Sequence, residues 1–492
     1  MLIPPGEVRP APAPREGSGR RGAPGARATR AARAARAALG ASGAHRPFIV
    51  VAVLAAGLRV LVMLGYDTAQ LYWYDSFTYL DTAVHLAPSG AFHPAGYPFL
   101  LRLLLPFHSV ELVAGVQHAM GLGTGVMIYL LLRRHTLPRW GATLATLPVL
   151  FNPAFLRLEH AVLSDTQLIF LITAALTVLM WRARPSTRTV AVAGLLLALA
   201  GLTRTVAVPL LGLVLLHLLL RRAGRRRVVA LAVAGLVPLA AYAGWYQQHH
   251  GRFALSGSDG VALWARTMTF ADCSVIRPPA GEAVLCPNGT VVDAASEYVW
   301  TAGASLNRLP GGRFAHNDLA RSFALRAIAA QPLDYLREVA RDTALTFSPT
   351  PVRHPLRVSP ALTFPVGSWP LPSFPLIDKV RRDYDGDIRG MSSVQPYGNL
   401  LGAYPYPEVL HGPLLGALLL LGAAGAAGRR RAALLPWAAA VFLLVAPVAA
   451  LDFDHRYVLP SIPVACLAAA LSGAALARRA RVLSGRGSPA AR

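Results

Sequence analysis

LYWYDSFTYLDTAVHLAPSGAFHPAGYP, residues 71–98, lies between two long apolar runs, and its reading decides the rest of the chain. It carries two carboxylates, Asp75 and Asp81, among aromatic residues, followed by His85, His93 and a Pro-Ala-Gly-Tyr-Pro turn. In a hydrophobic chain, carboxylates at the end of an apolar segment mark either a solvated loop or chemistry at the membrane surface. The neighbouring Tyr and Trp side chains suit the interface between hydrocarbon and water.

The setting is hydrophobic throughout. The chain has 492 residues, 54% of them hydrophobic and 15% charged, with a mean hydropathy of +0.44. Soluble domains carry about 25% charged residues, so membrane spans are expected. A net charge of +24 would ordinarily suggest nucleic acid. Here the cations are nearly all Arg, with Lys379 the lone lysine, and they fall in short clusters between apolar runs. No nucleic-acid partner is read from them; the partner implied is lipid.

Runs long enough for a bilayer of roughly 30 Å fall near 47–66, 112–132, 140–157, 161–181, 189–204, 206–220, 228–247, 409–428, 432–450 and 458–477. The basic clusters Arg133-Arg134, Arg182/Arg184/Arg188, Arg221 through Arg227, Arg429-Arg430-Arg431 and Arg478-Arg479 all share one side if both termini are cytoplasmic. The other side then receives every acid except Glu7 and Glu16. This divides the chain into a disordered basic tail (1–46), an N-terminal membrane module (47–247) with a first outer loop (67–111), an extracytoplasmic region (248–408), C-terminal spans (409–477) and a short cytoplasmic tail (478–492). The first tail has no apolar signal-peptide core, and Arg30, Arg33 and Arg36 stand at helical spacing suited to anionic lipid.

Within the outer region, Cys273 and Cys286 can close a disulfide if the loop is extracytoplasmic. Cys466, in an apolar run, reads as a buried small residue. The amphipathic stretch 318–346 is interrupted by Gln331-Pro332, which predicts two short helices on the membrane surface. The hairpin between Arg188 and Arg221 has limbs of roughly 16 residues, about 24 Å each, short of the hydrocarbon thickness. Its turn, Thr203-Arg204-Thr205, is therefore expected below the outer interface, where an unpaired guanidinium is expensive.

The aromatic run into Asp-Ser-Phe-Thr-Tyr (75–79), the helix-like stretch after it and Pro-Ala-Gly-Tyr-Pro (94–98) resemble the first outer loop of GT-C membrane glycosyltransferases. These enzymes use polyprenyl-phosphate sugars and include the protein O-mannosyltransferases and the lipid A aminoarabinose transferases. The resemblance covers roughly residues 45–210, with an echo where Arg456-Tyr457 precedes Pro460. It implies an all-α polytopic bundle of about ten transmembrane helices with a long extracytoplasmic loop region. It also implies a hexosyl or pentosyl transferase, inverting by single displacement, with Asp75 as base. The family often has two acids in tandem at this point, whereas here Ser76 follows Asp75.

That chemistry needs a carboxylate to take the acceptor proton and cations to stabilise charge on the departing phosphate. Arg204 and Arg456 are the phosphate candidates, since a planar guanidinium donates two parallel hydrogen bonds. His93 and Tyr97 from the proline-rich turn, Arg59 from the first span and Tyr457 beside Arg456 are the further substrate-binding candidates. Glu159, Asp165 and Asp81 are supporting acids. Glu159 and Asp165 with Asp75 offer oxygen ligands for Mg²⁺ or Mn²⁺, the one metal possibility; no cofactor is otherwise indicated. No Walker-type loop, Gly-x-Ser-x-Gly elbow or strand–helix alternation is present. The alternatives are a secondary transporter or lipid flippase, which would place ionisable groups near mid-span, and a scaffold that binds lipid-linked sugar without turnover.

Overall fold

The computed structural model describes residues 24–90, 93–358, 363–404, 412–427 and 432–485, with the side chains of 24–44, 73 and 479–485 outside the description. The cluster Arg429-Arg430-Arg431, the tail before residue 24 and the side chains of Arg30, Arg33 and Arg36 lie outside the described residues. Helix α1 is assigned over Pro24–Gly65, so helix rather than disorder occupies 24–46, in keeping with a Pro start and an Ala/Arg-rich run.

The membrane module continues with α2 (Trp73–His85), α3 (Gly96–Leu104) and α4 (Val110–Arg134), the last capped by Ser109, whose side chain accepts from the Leu112 N–H. Then come α5 (Arg139–Leu144), α6 (Leu147–Phe151), α7 (Pro153–Glu159), α8 (Asp165–Met180), α9 (Thr187–Thr203), α10 (Val208–Leu220) and α11 (Arg225–His250). The span expected at 140–157 is not one helix but the three pieces α5 to α7. Pro148 lacks a donor at one break, and Asn152 turns extended before Pro153 at the other, its side chain accepting from the Ala154 N–H. Conversely, the expected outer loop 67–111 contains an apolar helix, Gly96–Phe107.

Among the described residues, four helices are long and apolar enough to cross a membrane: His45–Gly65, Val110–Arg134, Arg225–His250 and His455–Arg478. Six shorter apolar helices of 10–17 residues accompany them. Nine of these ten coincide with the runs read from sequence, and Gly96–Phe107 stands in for 140–157. The last long helix is mostly buried, whereas His45–Gly65 and α11 are mostly exposed, as expected for a central helix and lipid-facing ones.

The outer region holds α12 (Asp259–Thr267), α13 (Cys273–Ile276), α14 (Ala280–Ala283), α15 (Ala295–Trp300), α16 (Asn317–Ala330) and α17 (Pro332–Leu345), followed by α18 (Pro375–Asp383) and α19 (Tyr397–Gly402). The break between α16 and α17 falls at Gln331-Pro332, as the sequence predicts. This region has its own core, including Trp264, Leu285, Leu306 and Phe323, and the Cys273–Cys286 disulfide closes beside it. Cys466 is free and buried. A small antiparallel sheet of β1 (Tyr66–Asp67), β2 (Ser368–Trp369) and β3 (Met391–Ser393), in the order β1-β3-β2, ties the end of α1 to the outer chain. The chain finishes with α20 (Pro413–Ala426), α21 (Leu434–Ala450), α22 (His455–Val458) and α23 (Ser461–Gly485), and α23 packs on α20 and α21.

Candidate functional site

Asp75 sits in the first turn of α2, where a carboxylate is favoured by the helix dipole. The start of that helix is pinned by its neighbour. Ser76 Oγ accepts from the Tyr72 N–H at 2.7 Å and donates to the Val162 carbonyl at 2.8 Å. The backbones of Gln70, His160 and Val162 bond across the same junction. Ser76 thus serves as a staple where the family pattern often has a second acid.

Three other parts of the chain converge on Asp75. His93 Nε2 lies 3.5 Å from Oδ1, and Arg456 Nη2 lies 3.6 Å from Oδ2. Arg456 also directs Nε toward Asp165 Oδ2 at 3.5 Å, while Arg204 pairs with Asp165 Oδ1. The Tyr457 ring lies beneath both guanidiniums, with centroids 5.0 Å from Arg204 Cζ and 5.5 Å from Arg456 Cζ. Tyr72 faces Arg456 at 5.5 Å. Each position has a local cause. Arg204 is the extended residue that ends α9, in the short hairpin whose turn was expected to be sunk. Arg456 follows Asp454, which caps α22 by accepting from the Arg456 N–H at 2.8 Å. Asp165 opens α8 and is buried.

Electrostatics keep Asp75 ionised. Burial alone would raise its pKa, but the hydrogen bond and charge of His93, then Arg456 and Arg204, outweigh burial and hold the carboxyl below the usual range. One pairing is left incomplete: Asp165 Oδ2 and Arg456 Nε are both buried without a hydrogen-bond partner among the described residues. Buried polar atoms of this kind, facing each other slightly too far apart, leave capacity for a further group.

Tyr97, expected to touch substrate, lies one layer behind. Its hydroxyl donates to Gln117 Oε1 at 2.9 Å, and its ring meets Tyr79 edge-on, with Tyr79 packed against His93. The start of α3 can approach this closely because residue 96 is glycine: a Cβ there would collide with the backbone of Leu202 and Thr203.

A cavity of about 840 Å³ opens from this cluster. Its lining includes His93, Asp165, Arg204 and Tyr457, and most of the rest is apolar, with Leu168, Pro209, Phe442 and Leu443 among its residues. A mostly apolar groove that carries a few ionic groups suits an amphiphile with an anionic head.

Three expected members stand elsewhere. Glu159 accepts from Arg59 Nη2 at 2.7 Å and faces His118 Nδ1 at 2.8 Å, all three buried. It rests against α4 where residue 121 is glycine, since a Cβ there would strike its carboxylate. Arg59 and Glu159 therefore form a structural ion pair, and Glu159 does not join Asp75 and Asp165 as a metal ligand. Asp81 pairs with Lys379 of α18 at 2.7 Å and with His85 at 3.1 Å. A different set of donors, from Asp342, His354 and Asp452, lies within 4.8 Å of one another. Protein groups already engage them: Arg266 holds Asp342, while His354 and Ser296 hold Asp452.

The sequence reading missed Tyr72, Tyr79, Gln117 and His118, and gave Asp454 no role beyond being an outer-face acid. Gln117-His118 was legible, because two adjacent polar residues within an apolar helix need partners. The aromatic positions carried no separate signal.

Residues 106–227 match the model of the dolichyl-phosphate-mannose-protein mannosyltransferase family, about a quarter of the chain, in agreement with the resemblance noted above. No curated protein matches. Among solved structures, the chain is similar to the S. cerevisiae protein O-mannosyltransferase Pmt1-Pmt2 complex bound to the sugar donor, with 16% identity over 45% of this chain and 36% of that one and a TM-score of 0.34. It is similar to the Archaeoglobus fulgidus oligosaccharyltransferase AglB in complex with an inhibitory peptide and a dolichol-phosphate, with 15% identity, 90% and 52% coverage and a TM-score of 0.39. A third likeness is to ArnT from Cupriavidus metallidurans bound to undecaprenyl phosphate, with 14% identity, 89% and 79% coverage and a TM-score of 0.35. The chain spans about half or less of the length of the first two.

Proposed function

We propose that this protein is a GT-C membrane glycosyltransferase that moves a sugar from a polyprenyl-phosphate donor to an acceptor hydroxyl on the extracytoplasmic face. The observation that carries this reading is the Asp75 carboxylate lying against His93 and Arg456, with Arg204 nearby in the lining of a mostly apolar groove. The polyprenyl chain lies along the wall that includes Phe442, and its phosphate replaces carboxylate oxygens at Arg204 and Arg456. Filling the open capacity between Asp165 Oδ2 and Arg456 Nε is part of that exchange.

Once the phosphate draws on Arg456, Asp75 loses some of its stabilising charge and becomes a better proton acceptor. The acceptor oxygen then attacks the anomeric carbon as its proton passes to Asp75. The bond from that carbon to the phosphate oxygen breaks, and the two guanidiniums stabilise the polyprenyl phosphate that leaves. A single displacement of this kind inverts the anomeric centre.

Asp75→Asn in membranes supplied with radiolabelled polyprenyl-phosphate sugars tests the assignment. Loss of transfer with donor binding retained is expected. Undiminished transfer removes Asp75 from the mechanism.

A further inference from the structure

Arg456 also forms part of the wall of a second, smaller pocket, of about 60 Å³, which the groove does not include. Its polar lining comprises Gln70, Tyr72, Arg157, His354, Asp454, His455 and Arg456, with His354 held by Asp452 and His455 Nε2 facing the Val352 carbonyl. Three of these side chains are incompletely used. Arg157 Nη1 donates to the Thr363 carbonyl at 2.7 Å, and its other N–H groups find no partner among the described residues. Asp454 accepts from the Arg456 N–H through Oδ1, and its other oxygen accepts nothing from the described residues. Gln70 bonds through its backbone only. Planar donors and acceptors with open valences, half-buried around one pocket, have a ligand's hydrogen bonds still to make.

The charge balance narrows the ligand. Arg157 brings one positive charge and Asp454 one negative, while Arg456 is already shared between Asp75 and Asp165 and His354 is held by Asp452. A phosphate or carboxylate would meet Asp454, and an ammonium would meet Arg157. A neutral group that both donates and accepts meets neither objection, and adjacent hydroxyls on a sugar ring are such a group. The volume admits one edge of a ring, with the rest of the acceptor outside.

Asp75 lines neither the pocket nor the groove but lies against one wall residue of each. Asp75 turns Oδ1 toward His93, a groove residue, and Oδ2 toward Arg456, which this pocket shares. We propose, resting on the transferase reading above, that this pocket is the acceptor subsite and takes a neutral carbohydrate hydroxyl, held by Arg157, Asp454 and Gln70. The hydroxyl loses its proton to Asp75 Oδ2 while the donor sugar is delivered from the groove. A Ser/Thr peptide is disfavoured because the lining offers side chains rather than a strand edge or a row of backbone partners.

Two measurements on the full-length protein in lipid nanodiscs test this. Saturation-transfer NMR with methyl glycosides, without donor, should detect binding that Arg157→Ala and Gln70→Ala each weaken by about tenfold or more. With polyprenyl-phosphate sugar as donor, the same variants should raise the KM for glycoside acceptor by a similar factor while shifting the donor KM less than about twofold. Wild-type protein that binds no glycoside, or that transfers to Ser/Thr peptides and not to glycosides, overturns the subsite while leaving the transferase reading in place. Glycoside binding without any donor consumption overturns the transferase reading and the acceptor role, and leaves only the carbohydrate pocket.

Discussion

Replacing Glu159 by Gln isolates the ion pair that the structure sets apart from the site. Glu159 is 2% exposed and Arg59 3%, and their charged atoms meet at 2.7 Å. Arg59 Nη1 donates to the carbonyls of Ala55 at 3.1 Å and Leu150 at 3.0 Å, so the guanidinium has no route to water. Glutamine preserves shape and most hydrogen-bonding reach but leaves Arg59 as an uncompensated buried cation. Removing one partner of such a pair costs about 3–5 kcal/mol. The loss should appear in equilibrium unfolding of the purified protein in mixed micelles, followed by far-UV circular dichroism. Combining Glu159→Gln with Arg59→Met should recover most of it, because the penalty belongs to the stranded charge rather than to a missing contact. Mg²⁺ and Mn²⁺ should leave both proteins unchanged. A single-variant loss below about 1 kcal/mol, the range of an exposed pair, would refute burial as the cause. So would a double variant no better than the single one.

Asp75→Asn should lower transfer by about 10²–10⁴-fold, the range of general-base catalysis, with folding intact by size-exclusion chromatography. Arg204→Lys keeps the charge but loses the forked donor set, so donor KM should rise by about tenfold, read by varying donor at saturating acceptor. Burial pulls the His354 pKa down, but the hydrogen bond and charge of Asp452 outweigh it and raise it above the ordinary 6.5, while the same partner lowers Asp452 below 3.8 despite burial. The stability this pair adds is complete below about pH 6.5 for the histidine and above about pH 3.8 for the aspartate, fading as pH rises or falls through the folded values. The difference between wild type and His354→Gln in unfolding free energy should therefore peak between those limits and shrink in alkali. Reducing Cys273–Cys286, a separation of 13 residues, should destabilise the outer region by about 3 kcal/mol, read as earlier proteolysis there than in the membrane helices.

Most of the apolar helices were legible from the chain itself. Run lengths and basic clusters gave nine of the ten apolar helices, the hairpin arithmetic put Arg204 in a buried turn, and Gln331-Pro332 marked the break between α16 and α17. The tenth was misread because a run of apolar residues averages over Pro148 and Asn152-Pro153, which cut the helix without lowering its hydropathy. The same averaging hid Gly96–Phe107, whose apolar character is interrupted by Arg102.

Which acids meet which cations was decided only by packing. Asp75, Glu159 and Asp165 all read as outer-face carboxylates, yet Asp75 and Asp165 share Arg456 while Glu159 is taken by Arg59 and His118. Residue spacing along a helix fixes height and face, but the azimuth of each helix in the bundle follows from close approaches such as those at Gly96 and Gly121. The amino-acid order by itself thus determined a polytopic helical protein and the acids and guanidiniums available to pair within it. The tertiary structure alone chose their partners, because ion pairs form between whichever side chains the packed helices bring within a few ångströms.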